Sequence, residues 1–527
     1  MLYLEIKGLK FISKKQKGGF CMKKTISIIV SLMIVILAFS GCSTKDATNG
    51  VKDGKKDVGQ TEQKKDTAES TKKTGDKPKI KMLVDYNPNV VNFKTDESEN
   101  KNVIYDWIIE KSGFDITFEV KPKDNPDQKV SIIMASGNVP DILEISNKTM
   151  YSNFANQGAL TDVTELVKTA PNIQSLIPQD SFKAIDIKGN IYAVPRPPED
   201  DGYGAGIYAR LDILKNKGLK NPITTDDYYN VLKAVSDSNK GVWAITNNGP
   251  FLGGFMGAFG VATSMKVKAG KVVYSYTQPE FNDYLAYVKK LYDEKLLDRE
   301  FSVNKGAGKE KLISGEAVMA FLGFPDTKLV YENLKTKNSS AEVGYLDLPK
   351  GPDGSQGVSR SAPVIRWFAI PIQSKNAEAA MRYMDWVCQK DVQQVLALGF
   401  EGVHYNMVNS MPVQTEKMKD ITWRVIYQRL ENGTFDVRLK IKDYWPFYEP
   451  TMKSPLVENI AGFVPAIETV DKKANELNDY VLEQSIKFIT GERALSEFDA
   501  FVKEYNVLGA EESMKLINEW YVEFNKK

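Results

Sequence analysis

The alternation of short apolar runs with amphipathic segments, which begins at Ile80, restricts the fold more than any other feature of this sequence. Apolar runs typical of buried strands occupy residues 80–86, 116–122 and 139–145. Between them, residues 101–111 and 128–135 carry apolar side chains at helical spacing. This order predicts an α/β protein whose parallel strands are joined by right-handed helical crossovers.

The loops that leave the first and third of these strands contain the first candidate binding residues. Asp85, Tyr86 and Asn87 end the first run, and Ser146 follows the third. Ligands of open parallel sheets bind beyond the carboxyl ends of the strands. We therefore expect these four side chains to line a ligand site.

A second feature, residues 22–42, predicts export. Lys23 and Lys24 precede an apolar run over residues 26–39, which ends at Ser40-Gly41-Cys42. A charged start, an apolar stretch and small residues describe a secretory signal, and the run is shorter than a membrane-spanning helix needs. The ending resembles the lipobox of bacterial lipoproteins, although Phe39 stands where leucine is usual. This implies lipidation of Cys42; an uncleaved signal or plain membrane anchor is the alternative.

The expected signal peptide covers residues 1–41, with translation starting at Met22 because residues 1–21 would make an unusually long charged region. Residues 42–79 would be the lipidated cysteine and a tether, since they are rich in Lys, Asp, Thr, Gly and Gln and almost lack apolar side chains. We expect this tether to be disordered. The remaining chain is long enough for two or three domains.

Composition excludes several classes of function. A net charge of +2 argues against a nucleic-acid-binding surface. With three cysteines and one histidine in the chain, there is no Cys/His zinc pattern. Neither a phosphate-binding loop nor a full calcium loop occurs, and Asp353-Gly354 is typical of a plain turn. The sequence therefore predicts no cofactor, no metal and no catalytic residue.

Six segments along the chain resemble one known family when they are taken in order. They are ASGNVPDILEI (135–145), GALTDV (158–163), KGNIYAVP (188–195), YARLDILKNKGLKNPITTDDYYNVLKAV (208–235), LISGEAVMAF (312–321) and LGFEGVHY (398–405). Together they are similar to the extracellular solute-binding lipoproteins of ABC importers, within the large sugar-binding branch of Gram-positive bacteria.

The resemblance implies a two-lobed fold of the type II periplasmic-binding-protein kind. Each lobe would hold a mainly parallel sheet flanked by helices, and a helical extension would end the chain. Lobe one would contain residues 80–195 and 364–405, and lobe two residues 196–363 and 406–527. The implied function is a lipid-anchored monomer on the extracellular face of the cell membrane, which delivers a carbohydrate to ABC permease subunits and is not an enzyme.

Sugars present polar edges and apolar C–H faces, so a sugar site needs aromatic rings and planar polar groups. The candidates are the aromatics Tyr203, Trp243, Phe324, Trp367 and Tyr405, and the polar residues Arg196, Arg210, Asn247 and His404. An arginine fork suits a sugar hydroxyl or a uronate carboxylate. The alternatives are core packing for the aromatics, salt bridges for the arginines and a hinge role for His404.

Two other functions stay open from the sequence. A secreted glycoside hydrolase needs two carboxylates at a fixed separation, and Asp and Glu are plentiful here. The same fold could instead bind a peptide or a signalling ligand. No stretch of this chain resembles a glycosidase motif, so the binding protein is the preferred hypothesis.

Overall fold

The computed structural model describes residues 77–86, 93–237, 240–304, 306–430 and 433–526. The expected signal peptide, Cys42, the tether up to residue 76 and Asn87 lie outside the described residues. Thr74–Lys527 is one compact unit. Among the helices described, none is both long and apolar enough to cross a bilayer.

Fifteen strands are present in the described part of the chain. They are β1 (Lys79–Val84), β2 (Asp115–Val120), β3 (Ile142–Ile145), β4 (Ala193–Arg196), β5 (Ala205–Arg210), β6 (Trp243–Thr246), β7 (Met265–Lys268), β8 (Lys271–Tyr274), β9 (Ala317–Gly323), β10 (Val343–Leu346), β11 (Val358–Ser359), β12 (Arg366–Ala369), β13 (Tyr405–Val408), β14 (Met411–Gln414) and β15 (Leu456–Val457).

Eighteen α-helices are described in the same ranges. They are α1 (Val103–Ser112), α2 (Pro126–Ser136), α3 (Lys148–Asn156), α4 (Thr164–Lys168), α5 (Pro171–Leu176), α6 (Gln179–Ile185), α7 (Leu211–Asn216), α8 (Thr225–Val235), α9 (Pro279–Asp293), α10 (Gly308–Ser314), α11 (Phe324–Lys337), α12 (Ala377–Val387), α13 (Lys390–Leu398), α14 (Phe435–Ile441), α15 (Trp445–Tyr448), α16 (Glu468–Thr490), α17 (Phe498–Tyr505) and α18 (Glu511–Phe524).

Local sequence explains where several helices begin and end. The Asn102 side chain accepts hydrogen bonds from two amides at the start of α1, and Gly113 ends that helix with φ 78°. The Thr224 side chain caps α8 in a reciprocal capping box with Asp227, as the threonine there predicts. Pro279 opens α9, whose predicted apolar face is buried.

Two sheets organise the compact unit. The first has the order β2-β1-β3-β12-β4 and the second has the order β10-β5-β9-β6. In each sheet all strands but one run in the same direction: β12 is antiparallel to both of its neighbours, and so is β5. Both reversed strands follow directly from a segment that crosses between the sheets, so they run away from the crossing instead of towards it. The mixed α/β class is confirmed, with one reversed strand in each sheet.

Each sheet has its own hydrophobic core. The core of the first sheet draws on residues 80–194 and 364–430. The core of the second draws on residues 207–348 and on the C-terminal helices α16 and α17. Cys388 is a free, buried thiol in the first core, and burial raises its pKa.

The lobe boundaries inferred from the sequence stay a prediction, and the packing departs from them in one segment. Residues 416–430, which we assigned to lobe two, pack in the core of the first sheet. The Trp423 ring stacks on Phe93 with centroids 5.5 Å apart, and Tyr427 packs edge-on against Phe118 at 4.9 Å. Burial of these large rings explains why the segment joins the first sheet.

Candidate functional site

The edges of the two sheets where the chain crosses between them carry the candidate site. The carboxyl ends of β1 to β4 and the amino end of β12 meet at one edge of the first sheet. In the second sheet, the corresponding edge holds the amino end of β5 and the carboxyl end of β9, because Ala205 pairs with Gly323. Parallel strands place ligand-binding loops at this kind of edge.

Five charged residues meet at this edge of the first sheet, and we call them the crossing cluster. They are Asp85, Lys121, Glu144, Arg366 and Arg429. The Lys121 amine lies 2.7 Å from Asp85 Oδ1 and also donates to the Glu144 carbonyl. Arg366 Nε lies 3.2 Å from Asp85 Oδ2 and 3.6 Å from Glu144 Oε1. Three cations therefore hold two carboxylates in a fixed arrangement.

The backbone completes the cluster. The Asp85 amide donates to Glu144 Oε2 at 2.8 Å, and Arg429 Nε lies 3.7 Å from the same oxygen. Arg429 also donates to the Asp85 carbonyl. Lys121 is fully buried and Glu144 nearly so, whereas the Arg366 side chain is 36% exposed. The cluster therefore has a buried floor and one arginine that reaches solvent.

Two cavities open at this edge of the first sheet. One of about 320 Å³ is lined by Asp85, Tyr86, Pro122, Lys123, Pro126, Glu144, Ser146, Arg196, Arg366 and Arg429. A second, of about 360 Å³, also includes Ser146 and Arg366 and extends to Lys148, Trp367 and Gly462. Because they share two lining residues, we treat them as one site, the crossing cavity. Its size is ordinary for a small-molecule site.

A bridge between α3 and the segment after β15 closes one side of the crossing cavity. The Lys148 amine donates to the carbonyls of Gly462, at 3.3 Å, and Val464. The Thr149 hydroxyl donates to Asp471 Oδ2 at 3.1 Å. Burial lowers the Lys148 pKa to about 8, although Asp471 opposes this effect.

A larger cavity, of about 660 Å³, lies elsewhere, between residues 152–188 and α18. Its lining includes the apolar side chains Phe463, Trp520 and Phe524. It does not lie at the carboxyl ends of the strands, and the crossing cluster does not reach it. Convergence of several charged groups identifies a specific site better than volume does, so the crossing cavity is the stronger candidate.

Five of the residues predicted from the sequence line the crossing cavity: Asp85, Tyr86, Ser146, Arg196 and Trp367. The Trp367 ring stacks on Tyr151 with centroids 5.8 Å apart, and it is 6% exposed. Its indole Nε1 has no hydrogen-bond partner among the described residues. Trp367 therefore belongs to the core of the first sheet, which is the core-packing alternative, although the residue also lines the cavity.

Arg210 and Trp243 are not brought to the crossing cavity. Trp243 pairs with Ala317 at the start of β9, and Arg210 pairs with Val343 at the end of β5. Both positions lie at the edge of the second sheet opposite the crossing. Arg210 is held by Asp212 through two contacts of 2.9 and 2.7 Å, which is the salt-bridge alternative.

Three more candidates lie nearer the crossing but make contacts of their own. Asn247 is buried and donates to the carbonyls of Gly249 and Phe251. The Phe324 ring packs edge-on against Tyr444 and Tyr448, at 5.4 and 5.6 Å. Tyr203 is half-buried in the segment between β4 and β5, where its amide donates to the Asp200 carbonyl.

His404 and Tyr405 are buried beside α13. His404 Nδ1 accepts a hydrogen bond from the Phe400 amide at 2.9 Å, so its ring fixes the local turn. Burial lowers the His404 pKa, and the nearby Arg424 acts in the same direction. The Tyr405 hydroxyl accepts from the Gln394 amide at 2.8 Å. These contacts favour a structural role over ligand binding for both residues.

Sequence reasoning missed Lys121, Glu144, Arg366 and Arg429. Glu144 and Lys121 had a visible signal, since each is a charged residue in or directly after an apolar strand. A charge at such a position is rarely buried unless it is paired. Arg366 stands beside the predicted Trp367, but Arg429 had no local signal. Only the fold brings it to the cluster.

Comparison with known proteins gives a family match over most of this region. The family model described as "Bacterial extracellular solute-binding protein" matches residues 108–414, more than half of the chain. This range includes β2 to β14 and all of the crossing cluster except Asp85 and Arg429.

Individual relatives are distant but nearly full-length. Lipoprotein LipO of Bacillus subtilis is 25% identical, over 78% of this chain and 87% of its own. The polygalacturonan/rhamnogalacturonan-binding protein YtcQ of the same organism is 24% identical, over 73% and 81%. An HMO-binding, ABC-transporter-associated solute-binding protein from Bifidobacterium longum infantis has a similar structure, with a TM-score of 0.64, 16% identity and coverage of 85% and 99%. This structural similarity shows a shared fold.

Proposed function

Because the chain belongs to the bacterial extracellular solute-binding protein family, we propose that it captures a carbohydrate and delivers it to the permease of an ABC importer. The ligand would lie in the crossing cavity. No bond of the ligand is formed or broken in this function. The name of one relative, YtcQ, states that it binds polygalacturonan and rhamnogalacturonan, which supports the ligand class.

The observation that carries the proposal is the composition of the crossing cavity. It combines the aromatic residue Tyr86 with the guanidinium of Arg366 and the hydroxyl-bearing residue Ser146. Tyr86 is 42% exposed, so its face is accessible to the C–H face of a sugar ring. The Arg366 guanidinium donates to sugar hydroxyl groups, and the Ser146 hydroxyl both donates and accepts.

Delivery to a transporter requires a conformational change that distinguishes the ligand-bound protein from the free protein. Segments from both sheets approach the crossing cavity, because α3 of the first sheet contacts the segment that leads into α16. Helix α16 packs in the second core. A ligand that contacts both sides would stabilise a closed arrangement, which the permease would recognise. We propose that the protein acts as a monomer in this cycle.

The place of action follows from residues 22–42. We propose that Cys42 carries lipid and holds the protein on the extracellular face of the cell membrane, as the lipobox-like ending implies. Mass spectrometry of the native N-terminal peptide tests this. We expect a lipid-modified Cys42 at the N-terminus, and an unmodified Cys42 or a retained Met22 would contradict the anchor.

A thermal-shift screen of the chain from Thr74 onward tests the ligand class. The ligands are neutral oligosaccharides, uronate oligomers and short peptides. A ligand that binds only the folded protein stabilises it by about 2.7 kcal/mol at a hundredfold excess over its Kd, so we expect a clear rise in Tm with a sugar. A rise in Tm with peptides alone would mean that the ligand is a peptide and not a carbohydrate. Release of shorter sugars during the incubation would favour a hydrolase instead.

A further inference from the structure

We propose that the sugar bound in the crossing cavity is acidic, and that Arg366 binds the carboxylate of a uronic acid unit. This inference rests on the proposed function, because it names the chemical class of the carbohydrate. It follows from the charges around the cavity and from the hydrogen-bonding groups that the protein leaves unused.

The cavity has more positive than negative groups. Three cations, Lys121, Arg366 and Arg429, contact the carboxylates of Asp85 and Glu144, and the exposed Lys123 lines the same cavity. The remaining arginine of the lining, Arg196, shares Glu199 with Arg438: Glu199 Oε1 lies 2.6 Å from Arg196 Nη2 and 2.9 Å from Arg438 Nη2. Among the described residues, this lining therefore carries more positive than negative charge.

The two carboxylates are already engaged by the protein. Asp85 uses Oδ1 for Lys121 and Oδ2 for Arg366. Glu144 accepts the Asp85 amide and faces Arg429 and Arg366. They therefore fix the cations in place. Glu144 Oε1 accepts no hydrogen bond from a described residue, but it is buried, so the two carboxylates offer little to the hydroxyl groups of a neutral sugar.

Arg366 has a free edge toward a ligand. Its Nε faces Asp85, and its Nη1 donates to the Ile365 carbonyl at 2.7 Å. Nη2 makes no hydrogen bond to any described residue, and the side chain is about one-third exposed. A guanidinium held by two partners loses little entropy when it binds a planar carboxylate.

Burial of the neighbouring charges strengthens the preference of the cavity for an anionic ligand. The Lys121, Glu144 and Arg429 side chains are each less than one-tenth exposed, so the floor of the cavity is shielded from water. Arg366 stands over this floor and is itself only one-third exposed, so it attracts an anion more strongly than a fully solvated arginine would. A neutral sugar would leave this charge uncompensated.

Tyr86 distinguishes a uronate from a small inorganic anion. Its ring lines the same cavity and is partly exposed. An aromatic face packs on the C–H face of a pyranose and gives little to a phosphate or sulfate ion. The combination of an aromatic face with an arginine fork therefore fits a ring that carries a carboxylate.

Calorimetric titration of the chain from Thr74 onward, which holds the whole compact unit, tests the inference. The probes are oligomers of galacturonate, glucuronate and mannuronate, their methyl esters and the matching neutral oligosaccharides. We expect at least one uronate to bind about tenfold more tightly than its methyl ester, which keeps the ring but loses the charge. This difference in affinity between the uronate and its methyl ester should shrink as the salt concentration is raised.

The variant Arg366→Gln should remove most of this difference. We expect about a tenfold loss of affinity for the uronate and less than a twofold change for the ester. Arg299→Gln is the matched control, because Arg299 packs over the Tyr292 ring and takes no part in the cavity. Lys123→Gln is a second test that leaves the buried floor intact, and it should weaken uronate binding by a smaller factor.

The outcomes separate the two proposals. Binding of neutral sugars or methyl esters as tight as that of every uronate would overturn the acidic ligand and leave the carbohydrate function standing. A uronate that binds equally well to the wild type and to Arg366→Gln would also overturn it, whatever the effect of Lys123→Gln. Binding of peptides and of no sugar would overturn both proposals.

Discussion

The Lys121→Met variant is expected to lose about 3 kcal/mol of unfolding free energy, because it leaves buried acceptors without their cation. Lys121 is fully buried, and its amine contacts Asp85 Oδ1 and the Glu144 carbonyl. Methionine keeps much of the volume of lysine but donates no hydrogen bond. Asp85 retains Arg366 as a partner, which keeps the loss at the lower end of the range for broken buried pairs.

Chemical denaturation measures this loss, and Lys123→Met is the matched control. Lys123 lies two residues further along, is exposed and carries the same charge. An exposed substitution of this kind changes stability by less than about 0.5 kcal/mol. Equal destabilisation by the two variants would mean that net charge matters here, and not the buried contacts of Lys121.

Replacing Gly351 with alanine is expected to lower the free energy of unfolding by about 3 kcal/mol or more, because the new methyl group would clash with backbone atoms. A Cβ at residue 351 would lie 1.7 Å from the Ala258 carbonyl oxygen. The same two segments meet again where a Cβ at Gly257 would lie 1.9 Å from the Gly357 carbonyl oxygen. A backbone clash cannot be relieved by a rotamer change, so the segments must separate.

Separation of these segments would also disturb the region where the chain crosses between the two sheets. Residues 351–357 lead directly into β11, which pairs with β15 beside the segment that contacts α3. We therefore expect Gly351→Ala to lower Tm and to weaken ligand binding together. Gly308→Ala is the control, since its Cβ would meet no atom closer than 3.8 Å. A Gly351→Ala protein as stable as Gly308→Ala would show that the two segments do not pack this closely.

The sequence predicted the elements of the first half of the first sheet well because local signals agreed there. Apolar runs marked β1, β2 and β3, and apolar side chains at helical spacing marked the helix between the first two. The direction of β12 and β5 was not predictable from such signals. It depends on whether a strand is reached through a helix or directly from a crossing.

The candidate site was predictable only in part, for the same reason. Asp85, Tyr86 and Ser146 follow strands whose direction the βαβ order sets, and they line the crossing cavity. Trp243 lies near glycines in the sequence, but it begins β6 instead of following it, so it lies at the far edge of the second sheet. Arg429 comes from a segment that reaches the first sheet through its aromatic residues.

The place of β12 within the first sheet has a consequence for folding during synthesis and export. Strand β4 pairs only with β12 among the described strands, and β12 also covers the open side of β3. Since β12 begins at Arg366, β3 and β4 leave the ribosome with unpaired edges, which invite wrong pairing. All four strands of the second sheet precede Arg366. We therefore expect the second sheet to complete its strand pairing before the first sheet, which cannot do so until β12 has been synthesised.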